Sequence, residues 1–596
     1  MARWHLSFDR NSDERAYEVC EKAGLQVTGA KKENRYYLRT YGKRAIDNVN
    51  FIDFGDDWIC VAGTIISNGS LGEAALKDFY DKFVGEGLAA ARESVIGHYA
   101  IAIQHDGQIT AFTDPHGAYR LYYSTSHPVV TNSLHVAAEL IPTSAVEQMG
   151  VLAHSAQPRS TGEQTLFNDI KRLYGSQLLK MDPESGVVSS ESLDLGIDSV
   201  GGYNSVEEAV ERYQLRVDDV FSHFDGIDSL AVSATGGLDS RTILASLFQQ
   251  GIKPQIVYGV GNSKLTNTKR RDREVAAQLA SRFNLPFYEM DWSGDHPHSQ
   301  EKMQEGFQQY GFKYTTYGLP EALISEMNGG ITPYPDLQIS GYGPTFTNSK
   351  IWARDDDPYS FEDLVEDYIR DFATEPMFNC YPEYHRYIEE SIRSALDHSP
   401  VEYPDQGASL ATFAQTKMFL KVRIAAGGVN FFNEFGYYIA PFLMKRLHDP
   451  LLNVPMKYRE KDTFQIRMIE NMEPSLLDIP LYSGTKPATV DRRSQTMQRP
   501  RKYRIKNGLI QVAGAVLPQS IKPKAKDLYL RMTADPGDNM TVNDLIRVSG
   551  SEFVLSNRLV GDCFENSDCL TLRDLNRLHR NLVGIHSVQN EDDPVV

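Results

Sequence analysis

The chain has 596 residues, of which 41% are hydrophobic and 23% charged, so it is long enough for roughly two to four domains and too apolar for wholesale disorder. Acidic residues outnumber basic ones by 79 to 61, which gives a net charge of −18. That balance argues against a sequence-independent nucleic-acid binder, because Lys and Arg make the contacts to phosphate.

The termini and the hydropathy pattern argue against export and membrane insertion. The segment that begins at Met1 contains no apolar stretch of the kind that a signal peptide needs. No run of about 18 apolar residues occurs anywhere in the chain, as a membrane-spanning helix would require. We therefore expect a cytoplasmic protein, with neither membrane nor nucleic acid among its partners.

Cysteines and histidines give no sign of a metal centre. The 5 cysteines are scattered and contain no C-x-x-C pair, which argues against a disulfide framework and a zinc ribbon. The histidines, including His98 and His116, show no metal-ligand spacing. We interpret them as structural.

Short alternating segments separated by turn residues characterise the first 195 residues. Tyr99–Ile103 and Gln108–Phe112 alternate between small or polar and large apolar residues, with an Asp-Gly turn between them. Alternation with period two around such a turn is typical of an antiparallel sheet. After a Gly-Gly pair at 201–202 the pattern changes, so we place a domain boundary within 196–204.

Helical periodicity interrupted by short apolar strands dominates the rest of the chain. Leu230–Ala234, Gln255–Tyr258 and Leu337–Ser340 are predicted strands, and helical patterns follow the first two. Strands that alternate with helices predict a doubly wound parallel sheet whose ligand lies at the carboxyl ends of the strands. Residues 360–480 are predicted to form a helical extension. The predicted domains are thus 1–195 and 205–596.

The strongest chemical motif is Thr235–Ser240 (TGGLDS), between a predicted strand and a predicted helix. Two glycines let the backbone approach an anion closely, and the helix N-terminus offers unpaired N–H groups and a favourable dipole. Thr235 and Ser240 add hydroxyl donors, and Asp239 is a ligand for Mg²⁺. The motif is not a Walker loop. An ordinary strand–turn–helix, with glycines for tight packing, is the alternative.

This loop resembles the S-G-G-x-D-S pyrophosphate loop of the asparagine synthetase family, with Thr replacing the first Ser. Other landmarks of that family occur in the same order: Gly97–Ala100, Asp114–Gly117, Leu121–Tyr123, Thr165–Ile170, Tyr258-Gly259, Asp272–Ala280, Ser340–Gly343 and Glu460-Lys461. The resemblance implies an α/β and α+β protein with two parts. The first is an N-terminal Ntn-hydrolase-like antiparallel sandwich, and the second is a C-terminal doubly wound parallel sheet of the PP-loop (HUP-like) type.

The resemblance also implies ATP- and Mg²⁺-dependent amide formation through an acyl-adenylate, with release of pyrophosphate and AMP. Lys461 would stabilise charge on the adenylate or on the tetrahedral intermediate; a solvated surface lysine is the alternative. Arg467 lies nearby, later than the family's E-K-x-x-x-R spacing asks. The residues implied for ATP and pyrophosphate binding are Ala234, Thr235, Gly236, Gly237, Asp239, Ser240, Tyr258, Gly259, Ser340 and Gly341, with Asp239 as the metal ligand.

The residue after Met1 departs from the glutamine-dependent members of the family, which use an N-terminal Cys as the glutaminase nucleophile. Ala2 stands there, and the nearest cysteine, Cys20, is interior. A methyl group cannot replace a thiolate nucleophile, so we predict that this domain is a scaffold unless cleavage of the chain exposes Cys20. β-Lactam synthetases and lasso-peptide cyclases share that loss, because their attacking amine belongs to the substrate.

Tyr342, within the turn Ser340–Gly343, is similar to the Tyr of β-lactam synthetases. There it deprotonates the attacking amine with the help of a glutamate. Glu362, Glu366 and Glu375 are candidates for that glutamate by spacing, and a surface position is the alternative for each.

Thr345 stands where the family has a second Mg²⁺-ligating Asp. Loss of one carboxylate weakens a magnesium site. Three outcomes stay open: Asp239 and the phosphates suffice, Asp336 or Asp272 substitutes, or the protein is slow or inactive.

The segment 486–506 carries eight basic residues and one acidic residue. A solvated loop is the leading interpretation. Closure over the ATP phosphates, contact with an acidic peptide and contact with RNA are alternatives.

The leading hypothesis is an amide-bond-forming ligase that uses ATP and Mg²⁺ and takes its amine from the substrate or from free ammonia. Ammonia-dependent asparagine synthesis and a non-catalytic ATP-binding partner subunit are the alternatives. The expected substrate is a small-molecule or peptide carboxylate. A homodimer and a complex with a biosynthetic partner protein both stay open.

Overall fold

The computed structural model describes residues 3–33, 35–141, 145, 147, 149–150, 162–193, 203–261, 267–292, 334–343, 358–372, 382–399, 401–459 and 462–481. Some residues singled out above lie outside these ranges: Ala2, Thr345, Glu375, Lys461 and the basic segment 486–506. The hypotheses about them stay predictions. Among the described helices, none combines the length and the apolar character needed to cross a lipid bilayer.

The N-terminal domain contains two antiparallel sheets. Its strands are, in chain order, β1 (Arg3–Ser7), β2 (Val27–Lys32), β3 (Tyr37–Tyr41), β4 (Phe51–Asp53), β5 (Trp58–Ile66), β6 (Ile96–His105), β7 (Gln108–Thr113), β8 (Tyr122–Ser124), β9 (Val129–Thr131), β10 (Lys171–Arg172), β11 (Gln177–Met181) and β12 (Val188–Ser192). Its helices are α1 (Arg10–Lys22), α2 (Gly72–Glu86), α3 (Leu88–Glu93) and α4 (Leu134–Leu140). The strand orders are β10-β8-β9-β1-β3-β2 and β12-β11-β7-β6-β5-β4.

The two sheets pack face to face because their strands carry apolar side chains on both faces. Along β5, Trp58 and Cys60 lie in the core between the sheets, whereas Ile59 and Val61 lie in a core on the outer face. Helices α1 and α4 cover the outer face of the first sheet, and α2 covers that of the second. The resulting helix–sheet–sheet–helix order confirms the predicted Ntn-hydrolase-like antiparallel sandwich.

The C-terminal domain is built on a parallel sheet. Its strands are β13 (Leu230–Ser233), β14 (Gln255–Gly261), β15 (Phe287–Trp292), β16 (Leu337–Ser340) and β17 (Tyr438–Ile439). Its helices are α5 (Val206–Ser222), α6 (Leu238–Gln249), α7 (Asn267–Phe283), α8 (Phe361–Phe372), α9 (Pro382–Leu396), α10 (Leu410–Phe432), α11 (Lys445–Leu452), α12 (Met456–Arg459) and α13 (Thr463–Met472), with 3-10 turns at Pro441–Leu443 and Pro474–Leu477.

The order of the parallel strands shows at which point of the sheet the winding of the chain reverses. The order is β15-β14-β13-β16-β17, and every neighbouring pair is parallel. Because β14 and β15 lie on one side of β13 and β16 and β17 on the other, the connections reverse between β13 and β16. This is the predicted doubly wound topology, so the α/β fold class is confirmed.

Helix α10 joins the two domains through a continuous apolar surface. Phe413 and Leu420 of α10 share a core with Val19 of α1 and with residues of α4. Further along the same helix, Val422 and Val429 reach the core between the two N-terminal sheets. The helical extension therefore packs on the N-terminal domain as well as on the parallel sheet.

A cluster of ionisable side chains ties β1, α1 and β3 together. Asp13 accepts hydrogen bonds from Arg39 Nε at 2.9 Å and Arg39 Nη2 at 2.6 Å, and His5 Nε2 lies 2.9 Å from its Oδ1. Burial by itself raises the pKa of Asp13. The hydrogen bonds from His5 and Arg39 outweigh burial and hold that pKa at about 2.

Asp13 should therefore make the protein sensitive to acid. Because its folded-state pKa lies below the unfolded value of about 3.9, it contributes stability that is present above that value and is lost as the pH falls towards about 2. We expect Asp13→Asn to lower the free energy of unfolding by up to about 2 kcal/mol at pH 7, and by much less at pH 3. Denaturant unfolding at both pH values measures this, with the exposed Asp78→Asn as the control. An equal loss at pH 3 and pH 7 would contradict the assignment.

Candidate functional site

The loop Thr235–Gly237 connects a buried strand to a buried helix. In β13, Leu230 to Val232 are buried, and α6 buries Ile243 and Leu244, so both elements are anchored in the core. Gly237 is the N-cap residue of α6. Because glycine has no side chain with which to cap a helix, the N–H groups of the first turn are left for another acceptor.

Hydrogen bonds within the loop hold it in one shape. Ser240 Oγ donates to the Thr235 carbonyl oxygen at 2.9 Å and accepts from the Thr235 N–H at 3.2 Å. Thr235 Oγ1 accepts from the Gly237 N–H at 3.3 Å. The two hydroxyls that the sequence assigned to phosphate binding therefore also close the loop on itself.

The start of the loop is fixed to the neighbouring strand. The Ala234 N–H donates to the Val257 carbonyl oxygen of β14 at 3.1 Å. Tyr258, the next residue of β14, is buried, whereas Gly259 is exposed. Tyr258 and Gly259, which the resemblance implies for ATP binding, therefore lie next to the point where the loop leaves the sheet.

Asp272 of α7 binds the loop from the side. Its Oδ1 accepts from the Gly236 N–H at 2.5 Å, and its Oδ2 accepts from the Tyr258 hydroxyl at 3.3 Å. A carboxylate therefore occupies one of the N–H groups that a phosphate oxygen would use. Burial raises the pKa of Asp272; burial and the Asp272 charge together raise the pKa of Tyr258 to about 12. Tyr258 is consequently a neutral donor at physiological pH.

Arg241 anchors the first turn of α6 and was missed in the sequence. Its Nη1 donates to the carbonyl oxygens of Leu476 at 2.8 Å and Ile479 at 2.6 Å, and its Nη2 donates to that of Pro480 at 2.7 Å. Burial lowers its pKa to about 10, so the guanidinium stays charged at neutral pH. This arginine therefore ties the segment after α13 to the loop.

Asp239, in the first turn of α6, is hydrogen-bonded to a side chain of α13. Gln465 donates from Nε2 to Asp239 Oδ1 at 2.8 Å and lies 3.1 Å from Thr242 Oγ1. The pKa of Asp239 is raised to about 6: burial raises it most, the Gln465 hydrogen bond lowers it, and the nearby charge of Asp462 raises it. Asp462 is therefore a second carboxylate within electrostatic range of Asp239.

The turn after β16 lies directly against this part of α6. Ser233 of β13 and Ser340 of β16 are paired in the parallel ladder. A Cβ atom on Gly341 would lie 3.0 Å from the carbonyl carbon of Asp239 and 3.0 Å from the backbone nitrogen of Ser240. A side chain at position 341 would therefore crowd the first turn of α6, and the structure brings the two predicted turns together at the reversal point of the sheet.

Tyr342 lies at the rim of this site. Its backbone N–H donates to Ser340 Oγ at 3.1 Å, and its side chain is 38% exposed. Among the candidate glutamates, Glu362 lies 2.9 Å from His385 Nε2, and both Glu362 and Glu366 are exposed.

Two sequence-based candidates lie apart from the site. Asp336 precedes β16 and accepts from the Ser229 N–H at 3.1 Å, so it lies at the amino edge of the sheet, opposite the loop. The suggestion that it replaces the missing magnesium ligand is wrong for that reason. Arg467 pairs with Glu470 at 2.9 Å, and residues two positions apart on a helix do not share a face, so it does not accompany Gln465. Its catalytic role stays a prediction.

Cys20, the cysteine nearest the N-terminus, is unsuited to nucleophilic chemistry. It lies inside α1 and is fully buried. Burial raises the pKa of its thiol, whereas a cysteine nucleophile needs a lowered pKa and access to substrate.

Comparisons with known proteins add little. No protein-family model matches the chain, and no curated protein matches it in sequence. The solved structures that are similar in part include the following three. The glutamine phosphoribosylpyrophosphate amidotransferase of B. subtilis, complexed with ADP and GMP, is 7% identical at a TM-score of 0.24, over 50% of this chain and 83% of that chain. An allosteric regulatory enzyme of purine biosynthesis is 11% identical at 0.24, over 69% and 95%.

The third is the U34-tRNA thiolase of Methanococcus maripaludis with its [4Fe-4S] cluster, 10% identical at a TM-score of 0.19, over 52% of this chain and 75% of that chain. At such scores these likenesses carry no argument about activity. The fold assignment rests on the layers and strand orders described above.

The close approach of Gly341 to α6 yields a testable prediction. Gly341→Ala forces the turn after β16 away from the first turn of α6, because the added methyl meets backbone atoms. We expect a loss of about 1–3 kcal/mol in stability and at least a tenfold loss in MgATP affinity. Gly343→Ala is the matched control, because its Cβ would meet only side chains, at 3.4 Å. Thermal unfolding and calorimetric titration with MgATP measure the difference; equal behaviour of the two variants would contradict the assigned packing.

Proposed function

We propose that this chain is an ATP- and Mg²⁺-dependent carbon–nitrogen ligase of the asparagine synthetase type. It adenylates a substrate carboxylate, releases pyrophosphate and transfers the acyl group to an amine. The position of the loop Thr235–Gly237 carries the proposal: it lies at the carboxyl edge of the parallel sheet, beside the reversal point between β13 and β16. Doubly wound sheets bind their ligands in that crevice, and a helix N-terminus there favours an anion.

The chain's own groups divide the work of holding the nucleotide. The hydroxyls of Thr235 and Ser240 and the first-turn N–H groups of α6 orient the pyrophosphate. Asp239 is the metal ligand, and Asp462, which adds to its raised pKa, is the second carboxylate within its field. Mg²⁺ bound there would neutralise charge on the leaving pyrophosphate. With Asp336 at the other edge of the sheet, Asp462 is the better substitute for the carboxylate that Thr345 does not supply.

The acyl transfer needs a base and a cation near the adenylate. Tyr342 is 38% exposed and follows Gly341 directly in the chain, and a tyrosine hydroxyl in such a position can serve as a general base. In this proposal it takes the proton from the attacking amine. Lys461 supplies the positive charge that offsets the developing oxyanion.

The amine comes from the substrate or from free ammonia in this proposal. Glutamine hydrolysis has no nucleophile, because Ala2 replaces the family's cysteine and Cys20 is buried with a raised pKa. The carboxylate belongs to a small molecule or a peptide. An intramolecular cyclisation fits the presence of Tyr342 better than asparagine synthesis, for which aspartate and ammonia serve as the direct test.

Pyrophosphate release is the decisive measurement. Wild-type protein is incubated with MgATP and a panel of carboxylates that begins with aspartate plus ammonia. We expect release that falls at least a hundredfold in Asp239→Asn and in Lys461→Ala. Asp336→Asn is the matched control, since it removes a carboxylate from the opposite edge of the same sheet. Undiminished release in Asp239→Asn would exclude the loop as the reaction site.

The second candidate function is a non-catalytic ATP-binding subunit. The observation that favours it is the contact between Asp272 and the Gly236 N–H, which places a carboxylate in the phosphate position of the loop. This alternative predicts ATP binding, by calorimetry, without pyrophosphate release from any carboxylate. Release that depends on Asp239 rules it out.

The Gln465 contact predicts a pH-dependent defect. Gln465→Leu removes a hydrogen bond that favours the ionised form of Asp239, so the pKa of Asp239, already about 6, should rise further. Since Mg²⁺ binds the carboxylate, MgATP affinity should drop several-fold at pH 7 and recover at pH 8.5. Gln214→Leu, which removes a surface amide pair, is the control. A defect of equal size at both pH values would point to misfolding of the site.

A further inference from the structure

A second cluster of potential ligands lies where the two domains meet. His116 follows β7 in a turn that Asp114 holds, by accepting from the backbone N–H groups of His116 at 3.2 Å and Tyr119 at 2.7 Å. His448 and Asp449 lie in α11 of the C-terminal domain. All three side chains are buried, and their ligand atoms lie within 4.8 Å of one another. The Thr235–Gly237 loop contributes nothing to this cluster.

The hydrogen bonds of His116 leave one nitrogen facing an acceptor. Its Nδ1 lies 2.9 Å from the carbonyl oxygen of Leu443, and because a carbonyl only accepts, Nδ1 carries the hydrogen. In the neutral ring, Nε2 then presents a lone pair. That lone pair lies 2.9 Å from Asp449 Oδ1, which is also an acceptor. Two acceptors at this distance repel each other, so either a second proton on the His116 ring or a metal ion between Nε2 and Oδ1 is needed.

His448 provides stronger evidence for a missing ligand than His116 does. Its side chain is fully buried, and neither ring nitrogen has a hydrogen-bond partner among the described residues. Nδ1 lies 3.6 Å from Asp449 Oδ1, beyond hydrogen-bond distance. An unsatisfied buried polar group of this kind is costly, and buried polar groups nearly always have partners.

We propose that His116, His448 and Asp449 bind one divalent transition-metal ion, with Zn²⁺ the best match, which clips the N-terminal domain to α11. Tetrahedral zinc with ligand bonds of about 2.1 Å places its ligand atoms about 3.4 Å apart. The observed 2.9 and 3.6 Å separations to Asp449 Oδ1 bracket that value. The Leu443 carbonyl acts as the outer partner that orients a metal-ligating histidine.

The charges around the cluster determine how tightly it binds a metal ion. Lys445 Nζ lies 2.7 Å from Asp449 Oδ2 and leaves Oδ1 to the metal. The buried Arg459 carries a second positive charge close enough to affect His448. Two neighbouring cations oppose a metal ion, so this site is expected to bind more weakly than a closed four-ligand zinc site. A water molecule completes the tetrahedron.

Metal content and cobalt absorption of the full-length protein test the proposal. The protein is stripped with EDTA, reloaded with Zn²⁺ or Co²⁺ in excess Mg²⁺, and gel-filtered. We expect one equivalent of retained metal, the intense visible bands of tetrahedral Co²⁺, and a higher unfolding temperature. His448→Leu should lose all three. Its fold should survive, since it replaces an unpartnered polar ring by an apolar side chain.

The matched control is His105→Gln, which disrupts a different histidine–aspartate pair, with Asp57 at 2.7 Å, that has no third buried ligand. It should retain the metal. Asp449→Asn is the second variant and should lose it, which keeps the test open if His448→Leu does not fold. Absence of stoichiometric metal from reloaded wild type, or retention of metal by folded His448→Leu, would overturn the proposal and leave a plain His116–Asp449 ion pair.

Discussion

The structure depends on the docking of residues 430–449 into the space between the two domains. The backbone of β17 pairs with β16 on one side, while its Tyr438 N–H donates to Thr64 Oγ1 of β5 at 2.9 Å. His98 of β6 contacts the Ala440 backbone, and Asn430 Oδ1 accepts from the Arg120 N–H at 3.0 Å. These bonds satisfy buried polar groups of both domains at once, so neither side keeps its partners without the other.

That constraint gives the N-terminal domain a structural role that does not depend on any chemistry of its own. Val422, Val429 and Tyr438 lie in the core between its sheets, so its removal would expose a large apolar surface. It also fixes β17, which forms the outer edge of the parallel sheet beside β16. Since β16 ends at the Gly341 contact, the N-terminal domain positions one wall of the candidate site. The predicted scaffold role would therefore consist in holding β17 and, through β16, one wall of the candidate site.

The part of the fold that the sequence predicted is the part encoded locally. The strand Leu230–Ser233, the loop and α6 were recognisable because apolar run, glycines and helical pattern follow one another within 20 residues. Strand β17 was not, since it has 2 residues and exists through pairing with β16 and contact with Thr64. The face-to-face packing of the N-terminal sheets was implied by the family resemblance and not by the strand pattern, because all 9 residues of β5 are buried and polar alternation is missing.

The candidate site also combines features that are encoded locally with contacts between residues far apart in the sequence. The hydroxyls and glycines of the loop stand in one short motif, but its partners come from far along the chain. Gln465 lies 226 positions from Asp239, and Asp272 lies 36 from Gly236. No local signal marks a glutamine or a carboxylate as a partner of a distant loop. The sequence likewise gave no sign that His116, His448 and Asp449 lie together, because metal-ligand spacing is recognisable only when the ligands are near in sequence.

The contact between Asp272 and the loop sets the terms on which any phosphate binds. A polyphosphate and the Asp272 carboxylate cannot both use the Gly236 N–H, and their charges repel at hydrogen-bond distance. Either the carboxylate moves or it takes up a proton. Burial already raises its pKa, which lowers the free energy of protonation relative to an exposed aspartate. In the proposed function, nucleotide binding is therefore coupled to a change at Asp272, and the Tyr258 hydroxyl transmits that change to strand β14.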